Sequence, residues 1–209
     1  MAFPTTDVLT LFDPPAENPL SEGGNWVQMA PSRPPMKKDN SNAASDSEHG
    51  LPNYSAWVRN QFNSSGAGCE VFGCITGGQL GAALETWRVF LFSQIGDGYS
   101  GYLVYYGGGL SKGLVLRKYT NEAFVDMGGA GIGYPSKIGM RITGGIIEVW
   151  YANGGAWTNP FTVTDGTYRG NFYAGIGVED PTAGGLAFTC FGGGRPHRTQ
   201  IYRVLPALT

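Results

Sequence analysis

Residues 137–179 read KIGMRITGGIIEVWYANGGAWTNPFTVTDGTYRGNFYAGIGVE, and the fold is decided inside this stretch. Two apolar runs meet at Gly144-Gly145, and a two-residue Gly-Gly loop suits a primed hairpin turn because both positions accept positive φ. A turn there sets one register: Thr143 opposite Ile146, Ile142 opposite Ile147, Arg141 opposite Glu148, Met140 opposite Val149, and Gly139 opposite Trp150. Side chains alternate along a strand, so Ile138, Met140, Ile142, Ile147, Val149 and Tyr151 share one face. Arg141, Glu148 and Trp150 take the other, where Gly139 leaves room for the indole. One register both buries the apolar set and matches a charge pair, so the pairing is specified twice.

The hairpin is followed by a Gly-rich turn at Asn153–Gly155, a short strand at Phe161–Thr164, an Asp-Gly turn at Asp165 and a strand at Asn171–Val178. Upstream, Glu85–Gln94 reads as a central strand. Trp87, Val89 and Leu91 alternate there with Arg88, Phe90 and Phe92, which requires cover on both faces. Further strands are expected near Asn25–Met29 and at Tyr54–Phe62, Cys69–Ile75, Tyr99–Tyr106, Leu114–Thr120, Phe124–Asp126, Leu186–Cys190 and Thr199–Val204. Met1–Leu11 is extended enough to add an edge strand. The glycine run GGAGIGYP and Gly192–Gly194 read as turns. About a dozen short strands without a helical pattern predict two packed antiparallel sheets.

The order of these elements resembles the concanavalin A-like lectin/glucanase (LamG-type) jelly roll. It runs from the hairpin through a Tyr-x-Asn-Gly turn (Tyr151 to Gly154), Asp165-Gly166-x-Tyr168 and a Gly175-x-Gly177 strand. Phe12-Asp13, then Asn18-Pro19-Leu20 and Gly24-Asn25-Trp26, is similar to the opening segment of many such domains. The resemblance implies an all-β, two-sheet antiparallel jelly-roll sandwich. Residues 1–50 would form an extended N-terminal arm, first strand and loop, and 51–209 the sandwich proper. Domains of this kind recur in bacteriophage virion proteins. The leading expectation is therefore a non-enzymatic virion component, on the tail or the capsid surface, partnered by other subunits of a symmetric assembly and in contact with host-surface glycans. A freestanding carbohydrate-binding lectin is the alternative, and a glycoside hydrolase a distant third.

Composition bounds these readings. The chain has 209 residues with 34 glycines and 14% charged side chains, against norms of ~7% and ~25%, as expected of short strands and tight turns. A net charge of −2 gives no general attraction to nucleic acid or anionic membranes, and no apolar run approaches the ~20 residues a membrane span needs. MAFPTTDVLTLF at the start has neither a basic segment nor a continuous apolar core, which reads as no signal peptide and synthesis in a cytoplasm. With Cys69, Cys74 and Cys190 odd in number, no disulfide framework is expected.

The chemistry follows by elimination. A retaining glycosidase needs two carboxylates about 5–5.5 Å apart, yet only Glu70 and Glu148 fall mid-strand and Glu148 already has a partner in Arg141. Ser100, in Asp97-Gly98-Tyr99-Ser100-Gly101, lacks a nucleophile elbow. His49 and His197 lack ligand spacing, and the glycine run precedes no helix that would hold phosphate. Asp39, Asn40, Asn42 and Asp46 offer oxygen donors without calcium-loop spacing, so neither metal nor cofactor is expected. What remains is a binding surface. Arg88, Tyr102, Arg117 and Tyr119 are expected on one side of a sheet, the side that is concave and ligand-holding in related jelly rolls. Aromatic rings there would stack on sugar C–H faces beside hydrogen-bonding groups, with at most weak affinity. Arg141, Glu148 and Trp150 are the candidate contacts for a neighbouring subunit.

Overall fold

The structure, a computed structural model, describes residues 2–39, 42–44, 53–63, 68–77, 86–107, 113–169, 171–179 and 186–195, with backbone alone at 53 and 57–63. The expected final strand at Thr199–Val204, both histidines, Asn40 and Asp46 lie outside the described residues. Described secondary structure is β throughout, in two antiparallel sheets.

The eight-stranded sheet orders β13 (Thr158–Thr164), β12 (Ile146–Ala152), β11 (Lys137–Thr143), β6 (Cys69–Thr76), β15 (Ala187–Gly194), β4 (Asn42–Ala44) and β3 (Lys37–Asp39), with β1 (Val8–Thr10) also on β15. The seven-stranded sheet orders β10 (Ala123–Gly131), β9 (Gly113–Thr120), β8 (Ser100–Gly107), β7 (Thr86–Gln94), β14 (Asn171–Glu179), β5 (Asn53–Asn63) and β2 (Trp26–Gln28). The β11–β12 register is the one that the Gly-Gly turn dictates, from Thr143 opposite Ile146 to Gly139 opposite Trp150; Gly144 and Gly145 both have positive φ.

The core lies between the sheets. Ile138, Met140, Ile142, Ile147 and Val149 from one meet Val89, Leu91, Val104, Leu116, Phe172 and Ile176 from the other, all essentially buried. Burying one such side chain contributes about 1.5–3 kcal/mol, so this layer is the main stabilising term. β7 is covered on both sides as its sequence requires: Trp87, Val89 and Leu91 enter the core, while Phe90 and Phe92 join a second layer outside the sheet.

Three expectations are corrected. Gly128–Gly131 is not a turn but the continuation of β10, paired with Leu116–Gly113 past a bulge. Gly192–Gly194 likewise continues β15. A side chain at Gly192 would collide with the Phe72 ring and the Asp7 carbonyl, so glycine there makes space inside a strand. The third correction is a disulfide, Cys74–Cys190, between directly paired residues of β6 and β15. The odd cysteine is Cys69, buried in the core, where burial pushes its thiol pKa up and makes it unreactive.

Residues 13–24 and 30–38, expected as loop on either side of the strand near Asn25–Met29, fold back onto the sandwich. Lys38 is buried and pairs with Glu17 at 3.2 Å and Glu22 at 3.6 Å. Glu17 also accepts the Ser21 and Glu22 amides, and the Tyr54 amide holds the Pro34 carbonyl at 2.9 Å.

Candidate functional site

The outer face of the seven-stranded sheet is built by register. Arg88 stands opposite Tyr105, Leu103 opposite Arg117, and Gly101 opposite Tyr119. The β9–β10 turn, Asn121-Glu122, has both residues at positive φ, as a two-residue primed hairpin requires. It sets Phe124 opposite Tyr119 and Asp126 opposite Arg117. Arg88, Arg117 and Tyr119 therefore share the face expected of them. Tyr102 does not: it pairs with Leu91 and packs in the core between the sheets. The cause is a bulge between Phe92 and Gln94. One extra residue in a strand moves every later side chain to the opposite face, and Tyr105 takes the place assigned to Tyr102. Tyr102 instead donates its hydroxyl to Asp165 at 2.6 Å, and Asp165 is held by Lys118 at 2.8 Å.

The middle of this face is closed. Arg88 is only 8% exposed. It donates to Tyr54 and Glu179 from its two terminal nitrogens and to Thr86 at 2.9 Å from Nε. Burial and the adjoining Tyr119 push the Tyr54 phenol up to about 12 although Arg88 opposes them. Phe90 lies across the gap left by Gly175. The rings then run in series: Phe90 to Phe92 at 4.5 Å, Phe92 to Tyr99 at 5.4 Å, Tyr99 to Tyr119 at 5.2 Å. Met29 and Ala30 pack into the same layer, fixed by the Gly96 amide on the Met29 carbonyl at 2.7 Å. Arg88 is thus held by its own chain and almost closed to solvent.

The β9–β10 end is open. Phe124 is 57% exposed, and the Arg117 guanidinium lies 3.8 Å from its ring centroid and 4.9 Å from that of Tyr105. Arg117 grips Asp126 through both carboxylate oxygens, at 2.6 and 3.3 Å, and reaches the Tyr105 hydroxyl at 3.3 Å. Burial opposes its charge, but Asp126 and the tyrosines hold its pKa above the usual arginine value. An exposed ring, a fixed guanidinium and a carboxylate with free lone pairs together provide an apolar platform flanked by donors and acceptors. Sequence reasoning missed Phe124, Asp126 and Tyr105 as members of this group; reading Asn121-Glu122 as a hairpin turn would have paired the first two with Tyr119 and Arg117.

On the other sheet, Arg141, Glu148 and Trp150 do come together, but under the N-terminal arm. Arg141 pairs with Glu70 and with Glu148 (3.4 Å), and its Nη2 donates to the Ala2 carbonyl at 2.6 Å. Glu70 is fully buried and also accepts from Thr5 and Thr6. Phe3 stacks on Trp150 (5.0 Å, 3° between planes) and meets Trp157 edge-on at 4.8 Å. The space above Gly139 belongs to Phe3, since a Cβ there would stand 2.7 Å from its Cζ. The two mid-strand carboxylates, Glu70 and Glu148, share one arginine, and Glu70 is fully buried.

No family model and no curated protein matches this sequence. Solved structures do. The exoplasmic/lumenal domain of VIP36 in its Ca2+/Man-bound form aligns with a TM-score of 0.66 over 90% of this chain and 91% of that one, at 8% identity. The fold is legume-lectin-like. The carbohydrate recognition domain of Emp47p aligns at 0.62, covering 86% of this chain and 92% of its own, at 11% identity. The legume lectin-like domain from Entamoeba histolytica aligns at 0.54, covering 87% and 89%, at 8% identity. At such identities the likeness is one of fold alone. Calcium is named for VIP36; among the described residues of this chain no three His, Cys, Asp or Glu side chains are grouped to hold a metal ion.

Proposed function

We propose that this protein is a non-catalytic carbohydrate-binding module whose site is the open β9–β10 end of the seven-stranded sheet. The observation that carries the reading is Phe124, an exposed aromatic ring fixed beside Arg117 and Asp126. A sugar offers a C–H face and a ring of hydroxyls. The first stacks on the aromatic face, and the second hydrogen-bonds to fixed guanidinium and carboxylate groups. The structures of similar fold include domains named as bound to mannose or as carbohydrate recognition domains, which favours the lectin reading over virion display; those likenesses lend virion display no support. Capture of Glu70 and Glu148 by Arg141 supports a binding role over glycoside hydrolysis.

The platform is small and its polar groups already bond one another, so a weak affinity is expected, in the range of about 10 µM to 1 mM, or about −4 to −7 kcal/mol. A glycan array followed by calorimetry on the best ligand tests the reading. Phe124→Ala should weaken binding about tenfold, the equivalent of roughly 1.4 kcal/mol. A wild-type chain that binds no glycan, or a variant that binds as well as wild type, would reject this site.

A further inference from the structure

We propose that β10 is a self-association edge: two copies of this chain pair antiparallel along it, with Val125 on the two-fold axis, and join their seven-stranded sheets. Among the described residues no hydrogen bond reaches the side of β10 that faces away from β9. The other sheet ends are blunted. β1, β2 and β3 are three residues long. The Trp26 amide of β2 bonds the Ser21 carbonyl at 3.0 Å, and Lys38 of β3 exchanges amide–carbonyl bonds with Glu17 at 2.8 and 2.9 Å. β13 carries a bulge and Pro160, which has no N–H to offer. Such devices keep an edge from pairing with another chain. β10 has nine residues, no proline and a single charged side chain, Asp126. Its bulge falls after Asp126, so the strand is regular up to that point.

A sugar stacked on Phe124 leaves Val125 unexplained. Neighbours in a strand stand on opposite faces: Phe124 lies with Tyr119 on the outer face, and Val125 lies opposite Lys118 on the core side. They are 57% and 53% exposed. A ligand on one face covers one of them, whereas a strand added along the edge gives both a neighbour. The register follows from the turn. Residues flanking a two-residue turn exchange both hydrogen bonds, which makes Thr120–Ala123 such a pair. Alternation then points the backbone groups of Phe124 and Asp126 outward. With Val125 on the axis, Phe124 of each copy faces the partner's Asp126, and the outward backbone groups bond one another. Val125 meets the partner's Val125, apolar on apolar. Asp126, already paired with Arg117, meets a ring and not its own copy, so no like charges are opposed. This self-complementarity selects a second copy as the occupant. The axis is perpendicular to the sheet, so both Phe124 rings stay on one side, beside the joint and not under it.

The regular overlap is short, which places the contact among weak interfaces of under about 1,200 Å², with a dissociation constant of about 10–100 µM. Sedimentation velocity on the full chain, from about 1 to about 500 µM, should therefore show monomer passing to dimer. Val125→Lys sets like charges against each other on the axis and should weaken association at least about tenfold, and Val125→Glu should do the same. The position is exposed, so both variants should melt as wild type does. An equimolar mixture of the two should dimerise again, because opposite charges now face each other; a folding defect would not be repaired by mixing. A wild-type chain that stays monomeric throughout, a Val125→Lys chain that dimerises as wild type does, or a mixture that stays apart overturns the proposal. Glycan binding is read separately: Val125 stands on the face away from Phe124, so either result for the dimer leaves the sugar-binding reading standing.

Discussion

The two outer faces of this sandwich are made of nearly the same materials and end up opposite in character. Each presents arginine beside aromatic rings and carboxylates. On the eight-stranded sheet, Phe3 fills the space over Gly139 and residues 2–6 close over the Arg141–Glu70 pair. On the seven-stranded sheet, Met29 and Ala30 cover the middle and stop short of Phe124. Composition does not separate a structural ion pair from a ligand platform. What separates them is which stretch of chain lies on top, and therefore whether water and solutes can reach the charged groups.

The contrast can be broken in order of expected effect. Glu70→Ala strands Arg141 in a buried place and removes the acceptor for Thr5 and Thr6, so it should cost about 3–5 kcal/mol by urea unfolding. The equivalent cut on the open face, Arg117→Ala, should cost no more than about 1 kcal/mol because that pair is partly exposed. Similar losses for the two would abolish the distinction. Next, the Cys74–Cys190 bond lies beneath Phe3 and closes a loop across a separation of 116 residues. Cys74→Ser with Cys190→Ser should lower stability by about 2–4 kcal/mol, with glycan binding unchanged if the binding face is the other one.

Asp165 is an intermediate case, a half-buried carboxylate between the faces. Burial alone would raise its pKa, but Lys118, Thr167 and Tyr102 hold it well below the usual carboxylate range. A depressed folded-state pKa contributes stability above the unfolded value of about 3.9, and that contribution is lost as pH falls below it. The stability difference between wild type and Asp165→Asn should therefore be flat above about pH 5 and shrink below about pH 4, read from unfolding curves across that range. The smallest structural effect is expected of Phe124→Ala. An exposed surface substitution stays within about 0.5 kcal/mol, so its melting point should match wild type while its glycan affinity drops.

Much of this was legible in advance, and the failures have a common physical origin. The β11–β12 register could be read because its turn is unambiguous and because one pairing satisfies both the apolar face and the Arg141–Glu148 pair. β7 was legible for the same reason, its two faces being written in alternating residues. Tyr102 was misplaced because nothing in Ser93-Gln94 announces the bulge that reverses parity along β8. The glycine runs in β10 and β15 were read as turns because glycine's usual role is conformational. At Gly192 its role is to make way for the Phe72 ring, a need that arises only once β6 lies alongside. The disulfide and the seat of Phe3 are of the same kind, joining residues 116 apart in one case and 136 apart (Phe3 and Gly139) in the other. Short-range patterns fix registers; they do not say which distant segment will cover a face.

The central claim is that ligand meets this molecule at the uncovered end of the seven-stranded sheet. Backbone amide chemical-shift mapping during titration with the strongest array glycan tests it most directly. Shifts concentrated at residues 103–105, 117–119 and 123–126 are the expected result. Shifts concentrated instead at residues 2–6 and 139–150, on the face that the arm seals, would contradict it.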